Sequence, residues 1–411
     1  MTTGITSEGI KYAVHNFGNA VAYCALSIKA GTRDEEGFHS GIAHFVEHTL
    51  FKGTARHNSD YINNRLELLG GELNAYTTKE EIVLHATVLK KDIAKAASLL
   101  AEIAFESTFP DEEIEIEKGV VIEEIASYKD SPSEDIYDVF EEKLFEGSPL
   151  AKLILGTPES VQAISSEELR RFRSTFFTPE RMSFSVVGPL PEAKMEEMIR
   201  EISAGYRDIC ADGSKAVARE ACGIGRGTAF DETIDKHDHQ VNCLIGGTAP
   251  SLDREEDRLA TILLCNMLGG PASNSILGRI LRERHGWVYN VECSYTPYSD
   301  SGVAIIAFGC EEENLAKCER VVRRQLRLLQ DKELSPSRLK AAKRQLLGQN
   351  AISLESGEAQ CLSMGKSLMC FGRVHSDGQL AEKVMAITAA KVREMACEVF
   401  GDDKLSRLVY L

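Results

Sequence analysis

The five-residue segment HFVEH combines residue types that bind metal ions. His44 and His48 are four positions apart in a chain with only ten histidines, and Glu47 directly precedes the second of them. Positions i, i+3 and i+4 of a helix lie on one side, so the three side chains would converge on a single patch. Two imidazoles and a carboxylate are ligand types found in zinc sites. An amphipathic helix whose polar face carries these residues by chance has the same five letters, so the choice depends on the rest of the chain.

The segment around these residues has the apolar pattern of a helix. Ile42, Phe45, Val46 and Leu50 form a stripe at helical spacing, separate from the face that holds the histidines. Residues 21–31, which precede it, are rich in β-forming side chains and end in a glycine turn. The pattern therefore predicts a strand followed by a helix whose polar face carries the candidate ligands.

A zinc ion held by two histidines needs a third protein ligand and an open position for water. The best donor is a helix predicted over residues 111–129. Glu117 and Glu124 are seven positions apart there and share a face with Val121 and Tyr128. A carboxylate on a partly apolar face needs a partner. A metal ion and a buried salt bridge both meet that need, and the residues alone leave the two alternatives open.

The second half of the chain repeats the order of elements in the first half. SIKAGTRDEEGFHSGIAHFVEHTLFKG runs strand, glycine turn, acidic loop and helix, and LIGGTAPSLDREEDRLATILLCNMLGG runs in the same order. The helix of the second copy, ATILLCNML, carries no pair of ligand-type residues. We therefore predict duplication of one α+β unit with a metal site in the first copy only. The expected domains are residues 1–205 and 228–411, joined by a linker at 206–227 that is rich in glycine, small and charged residues.

Composition and charge limit the classes of function. The chain of 411 residues is 43% hydrophobic and 27% charged, which is typical of a soluble globular protein. No apolar run approaches the length of about 18 residues that spans a membrane, and the N-terminal residues do not resemble a signal peptide. Eleven scattered cysteines without a C-x-x-C pair indicate free thiols in a reducing compartment, so we predict a cytoplasmic protein. A net charge of −16 disfavours a nucleic-acid partner.

Several motifs in order resemble one family over nearly the whole chain. HFVEH followed by FKGT, then GGELNAYTTKE and then EKGVVIEEI is similar to the inverted-zincin family, which includes pitrilysin, insulin-degrading enzyme and the mitochondrial processing peptidase. The resemblance implies that His44, His48 and Glu124 bind one Zn²⁺ per chain and that Glu47 is the general base. It also implies that Glu117 is a helper residue outside the ligand set.

The segment LGGPASNSILGRILRERHGWVYNV at residues 268–291 resembles a second motif of the same family. Arg282 and Tyr289 are seven positions apart in it. The resemblance implies that this pair holds the substrate peptide and helps to stabilise the developing oxyanion. Without the resemblance, the two residues would be interpreted as an exposed helix arginine and a tyrosine at the start of a strand.

The resemblance further implies how substrate binds. The segment from Gly71 to Tyr76 would align the peptide as an added strand, with Asn74, Ala75 and Tyr76 as the contact residues. Backbone pairing of this kind accepts varied sequences.

The family resemblance also implies the fold and the assembly. The expected fold is of the α+β class, with two homologous α/β-sandwich domains, each a largely antiparallel sheet packed with helices. Short members act as dimers, and in longer relatives the arginine and tyrosine lie in the opposite half from the zinc. We therefore expect Arg282 and Tyr289 to complete the site of a partner chain in a homodimer, or in a heterodimer with a homologous subunit.

The expected activity is zinc-dependent endopeptidase cleavage of peptides or unfolded segments, without membrane partners. One alternative is a catalytically inactive partner subunit of a processing-peptidase-like complex. Another is a metal-dependent chamber that binds unfolded peptide without cleaving it.

Overall fold

The structure is a computed structural model that describes residues 1–18, 20–212, 229–237 and 240–411. Its strands in these ranges are β1 Thr2–Ile5, β2 Lys11–Asn16, β3 Val21–Ile28, β4 Glu72–Thr77, β5 Ile82–Leu89, β6 Met182–Gly188, β7 Asp231–Ile234, β8 Val241–Thr248, β9 Val288–Pro297, β10 Gly302–Cys310 and β11 Ser406–Tyr410.

The α-helices in the same ranges are α1 Ile42–Leu50, α2 Ser59–Glu67, α3 Ile93–Glu106, α4 Asp111–Lys129, α5 Pro132–Leu144, α6 Pro158–Ala163, α7 Ser166–Phe176, α8 Glu192–Ala204, α9 Arg207–Asp212, α10 Glu255–Gly269, α11 Glu312–Asp331, α12 Pro336–Ser353, α13 Gly357–Phe371, α14 Asp377–Ala386 and α15 Ala389–Phe400. A π-helical segment spans Gly278–Arg284. None of the helices in the described ranges is long and apolar enough to cross a lipid bilayer.

The strands in the described ranges form two sheets that share one topology. The first has the order β1-β2-β6-β3-β5-β4 and the second has the order β7-β11-β8-β10-β9. Without β1, each sheet has five strands. Strands β2 to β6 of the first sheet then correspond in turn to β7 to β11 of the second, both in chain order and in position within the sheet. In both sheets the first pair of this common order is parallel, β2 with β6 and β7 with β11, and the other neighbours are antiparallel. The predicted α+β fold with two homologous, largely antiparallel sheets is confirmed.

The first compact unit contains residues 1–126, the described part of 152–220, and residues 352–375. One face of its sheet packs against α1 and α3 in a continuous apolar core. The opposite face is covered by α13, on which Gly357, Cys361 and Gly365 are spaced four apart. The helix lies close to the strands because these residues are small: a Cβ on Gly365 would lie 2.8 Å from Ser27 Oγ.

The second compact unit contains residues 127–151, the described part of 221–351, and residues 376–411. One face of its sheet packs against α10, α11 and α15, and α5 covers the other face. The predicted domain boundaries at 1–205 and 228–411 stay a prediction. Residues 127–151 lie within the first predicted domain but belong to the second compact unit, and residues 352–375 lie within the second predicted domain but belong to the first compact unit.

The predicted linker begins among described residues and continues beyond them. Tyr206 is buried and stacks on Phe105 with ring centroids 4.9 Å apart, and α9 follows it. Residues 213–227 of the predicted linker lie outside the described residues.

Candidate metal centre

The helix that carries the two histidines follows a tight backbone contact. Gly41, the residue before α1, has φ +86°, and a Cβ there would lie 2.6 Å from the carbonyl oxygen of Leu155. Glycine is the residue that accepts this conformation and this approach without strain. The four residues of the predicted apolar stripe are all buried in the core: Ile42, Phe45, Val46 and Leu50. The other side of α1 is therefore left to His44, Glu47 and His48, as the periodicity predicted.

The structure brings the three predicted ligands together. Oε2 of Glu124 on α4 lies 3.8 Å from Nε2 of His44 and 3.4 Å from Nε2 of His48. Within the described residues, His44, His48 and Glu124 are the one group of three side chains arranged to hold a metal ion, with ligand atoms within 4.8 Å of one another. Ligands placed tetrahedrally at about 2.1 Å from a zinc ion lie roughly 3.4 Å apart. Both the donor types and their spacing fit a zinc ion.

Glu117 forms a salt bridge, which is one of the two alternatives that the sequence left open for the carboxylates of α4. Its Oε1 lies 2.9 Å from Nδ1 of His48, and its Oε2 lies 2.5 Å from Nζ of Lys52. Although burial opposes the charge, the hydrogen bonds to His48 and Lys52 lower the pKa of Glu117. In the neutral tautomer with the proton on Nδ1, His48 donates to Glu117, and its Nε2 lone pair faces the space between His44 and Glu124 where a metal ion would bind. Sequence reasoning did not single out Lys52, although the FKGT segment contains it.

His44 is held differently from His48. It is 7% exposed, and its Nδ1 is buried without a hydrogen-bond partner among the described residues. Burial, together with the neighbouring His48, lowers the pKa of His44 to about 3. The imidazole is therefore neutral at physiological pH, which is the form that binds a metal ion.

Glu47 lies beside the ligands without belonging to their group. Its Oε2 accepts a hydrogen bond of 2.9 Å from Oγ1 of Thr77. Burial raises the pKa of Glu47, and the Thr77 hydrogen bond and the nearby His48 oppose that rise. Sequence reasoning missed Thr77. The period-two alternation of ELNAYT would have placed it on the same side of β4 as Ala75.

The predicted substrate strand is β4, which forms an edge of the first sheet within the described residues. Ala75 is paired with Leu84, whose side chain lies in the core beside α1. Asn74 and Tyr76 are paired with His85 and Val83 and belong to the opposite side, which α13 covers. Thr78 N–H donates to the carbonyl oxygen of Glu81 where β4 turns into β5, so by alternation the backbone groups of Asn74 and Tyr76 are directed to β5. A peptide added at the open edge would therefore meet the backbone of Ala75, and the side chains of Asn74 and Tyr76 point away from the ligand side.

Arg282 and Tyr289 belong to the second compact unit, and the metal-type residues belong to the first. Arg282 lies in the π-helical segment, a helix type that is frequent at functional sites, and its Nε donates to Oε1 of Glu283 at 2.9 Å. Tyr289 lies on β9, an edge strand of the second sheet, and is 89% exposed. Both side chains are thus open to solvent within a single chain.

Two family models match the chain. Residues 12–158 match the model described as insulinase, peptidase family M16, and residues 163–346 match the model described as the peptidase M16 inactive domain. A Mycobacterium leprae protein named an uncharacterized zinc protease is 30% identical over 91% of this chain and 83% of its own length. A Rickettsia bellii protein of the same description is 29% identical over 98% of this chain and 95% of its own length.

Solved structures with the same fold cover the whole chain. A protease from Helicobacter pylori superposes with a TM-score of 0.91 at 18% identity, covering 100% of this chain and 98% of that one. A peptidase M16 inactive domain from Pseudomonas fluorescens superposes with a TM-score of 0.89 at 20% identity, covering 100% and 97%. At these identities the likeness shows the fold.

Proposed function

The chain belongs to peptidase family M16, and from that premise we propose that it is a zinc-dependent endopeptidase that cleaves peptides or unfolded protein segments. The observation that carries the proposal is the convergence of His44, His48 and Glu124 beside a separately held Glu47. The names of the relatives, which call them zinc proteases, support the same metal and the same class of reaction.

Zinc, when bound by His44, His48 and Glu124, supplies a Lewis acid and lowers the pKa of water to about 7. Glu47 takes a proton from the attacking water and later delivers it to the leaving amine. Thr77 orients the Glu47 carboxylate for both transfers through its hydrogen bond. The raised pKa of Glu47 suits a group that must act as base and then as acid near neutral pH.

The proposed substrate binds as an extended strand along β4. An edge strand has backbone N–H and C=O groups available for pairing, and such pairing does not depend on the substrate sequence. This mode suits unfolded segments, because a peptide must be extended to add to a sheet.

The proposed assembly is a dimer in which Arg282 and Tyr289 reach the metal site of the partner chain. A homodimer suffices because this sequence carries both motifs, and a heterodimer with a homologous subunit is the second arrangement. The proposed location is the cytoplasm, since the nine cysteines whose side chains the structure describes are free thiols, which suits a reducing compartment.

Metal analysis combined with mass spectrometry of the products from a peptide library tests the proposal. We expect one zinc per chain and cleavage in the wild type. Glu47→Gln should keep zinc and lower kcat by about 10²–10⁴-fold, because the variant lacks only the proton acceptor. His48→Ala should lose zinc, and His39→Ala should keep it, since His39 is exposed and bonded to Glu168 outside the site.

Two results would contradict the assignment: unchanged zinc content in His48→Ala, or wild-type turnover in Glu47→Gln. Zinc binding without cleavage of any library peptide would favour the inactive-partner alternative.

A further inference from the structure

A buried glutamate side chain from the preceding loop accepts hydrogen bonds from the backbone at the start of α1. Gly41 precedes the helix and has no side chain that could cap it. Glu35, which is 1% exposed, accepts hydrogen bonds from the backbone N–H of Gly41 at 3.1 Å and of Ala43 at 3.0 Å. These donors are at the helix start, where the helix itself offers no acceptor. Glu35 therefore holds the backbone immediately before His44.

The loop that carries Glu35 is itself anchored. Gly31 N–H donates to Oδ2 of Asp34 at 3.1 Å, and Arg33 forms a 2.8 Å ion pair with Glu80. Gly31 is packed so closely that a Cβ there would lie 2.4 Å from the Thr78 carbonyl oxygen. The same 77–81 segment that anchors this loop also begins with the threonine bonded to Glu47. Glu35 thus ties the start of α1 to the segment that orients the base.

His44 depends on its backbone more than His48 does. The ring of His48 is oriented by its bond to Glu117, and the ring of His44 has no hydrogen bond at its buried Nδ1 in the described residues. Packing and the position of the first turn of α1 are what remain to direct Nε2 of His44 toward Glu124. A change in that turn would move the ligand directly.

We propose that Glu35 is a positioning residue for the metal site. Glu35 holds the first turn of α1, so that His44 is aligned to bind the metal ion. The inference deepens the proposed function and rests on it for the identity of the metal. Glu35 does not belong to the ligand group and acts through the backbone of Gly41 and Ala43.

Zinc competition against a chromophoric chelator tests the proposal on the full chain after metal removal. Glu35→Gln keeps the size of the side chain and replaces one of its two acceptor oxygens with an NH₂ group. We expect its zinc affinity to fall at least about tenfold, the lower end of what substitution of an outer-shell partner costs. The matched control is Glu36→Gln on the exposed neighbouring residue, which should stay within about twofold of the wild type. At saturating zinc, KM should be unchanged in both variants.

Amide hydrogen exchange in the metal-free protein separates positioning from general destabilisation. Faster exchange in Glu35→Gln should be confined to the first turn of α1. Glu35→Asp keeps both acceptor oxygens on a shorter side chain, so its zinc affinity should fall less than that of Glu35→Gln. If Glu35→Gln does not fold, Glu35→Asp is compared with Glu36→Gln in its place.

Wild-type zinc affinity in a folded Glu35 variant overturns the inference, as does an equal loss in Glu36→Gln. A wild-type chain that binds no zinc would instead contradict the proposed function.

Discussion

The proposed role of Glu47 as the base requires a fixed orientation of its carboxylate, and Thr77 donates a hydrogen bond to that carboxylate. Thr77→Val keeps the shape of the side chain and removes the hydroxyl. We expect zinc content to be unchanged and kcat to fall by about tenfold, equivalent to about 1.4 kcal/mol of activation free energy. Steady-state kinetics at saturating zinc measures the effect.

Thr87→Val on the neighbouring strand is the control, because Thr87 pairs with Glu72 at the far end of β4 from Thr77. Equal kcat in the wild type and Thr77→Val would show that the bond has no role in turnover.

Single residues also show where a pattern was ambiguous. Glu117 and Glu124 lie on one face of α4, and helical spacing does not distinguish them. In the structure, Glu117 is bonded to Lys52 and His48, and Glu124, with a side chain 43% exposed, approaches both histidines. Of the two alternatives that the sequence left open, the salt bridge is thus formed by Glu117, and Glu124 is the carboxylate placed as the candidate metal ligand.

At the scale of elements, helix α13 packs so closely on the first sheet that its glycines have no room for a larger side chain. Gly365 has Ser27 Oγ at 2.8 Å and Ser185 Oγ at 3.1 Å from the position of a Cβ, and nothing lies within 4 Å of a Cβ on Gly348 of α12. Gly365→Ala should lower the free energy of unfolding by about 1–3 kcal/mol through overpacking. Gly348→Ala should raise it by about 1 kcal/mol, because alanine favours a helix interior.

Urea unfolding monitored by circular dichroism measures both substitutions. The opposite signs are the essential result, since intrinsic helix propensity alone makes both substitutions stabilising. Stabilisation by Gly365→Ala would mean that α13 does not pack on the strands as described.

At the scale of the whole molecule, the proposed dimer can be tested by complementation. Glu47→Gln protein is mixed with Arg282→Ala/Tyr289→Ala protein, each nearly inactive alone. If the pair acts on the partner chain, one site of the mixed dimer has an intact base and an intact pair, so activity should partly return. If the pair acts within its own chain, every site is damaged and the mixture should stay inactive.

The complementation needs two controls. Subunit exchange must be verified, and Arg279→Ala, an exposed arginine on the same π-helical segment, should keep activity by itself. An inactive mixture despite exchange would contradict action on the partner chain, and a monomer at working concentration would count against a dimeric chamber.

Local patterns were sufficient for the elements and for the first two candidate ligands. The four-residue spacing of His44 and His48 and the apolar stripe of α1 are properties of one helix, so they follow from the helical period alone. The repeated order of strand, glycine turn, acidic loop and helix likewise predicted two homologous units, which the common strand order of the sheets confirms. These features depend on residues close together in the chain, where backbone geometry determines which side chains share a face.

The tertiary structure decided the contacts between distant residues. It distinguished the contacts of Glu117 from those of Glu124, brought Thr77 to Glu47, and placed Glu35 at the start of α1. It also placed residues 127–151 in the second compact unit and residues 352–375 in the first, although their order along the chain suggests the opposite. No periodicity encodes such contacts, because they depend on which faces of separate helices and strands meet when each apolar face is buried against another.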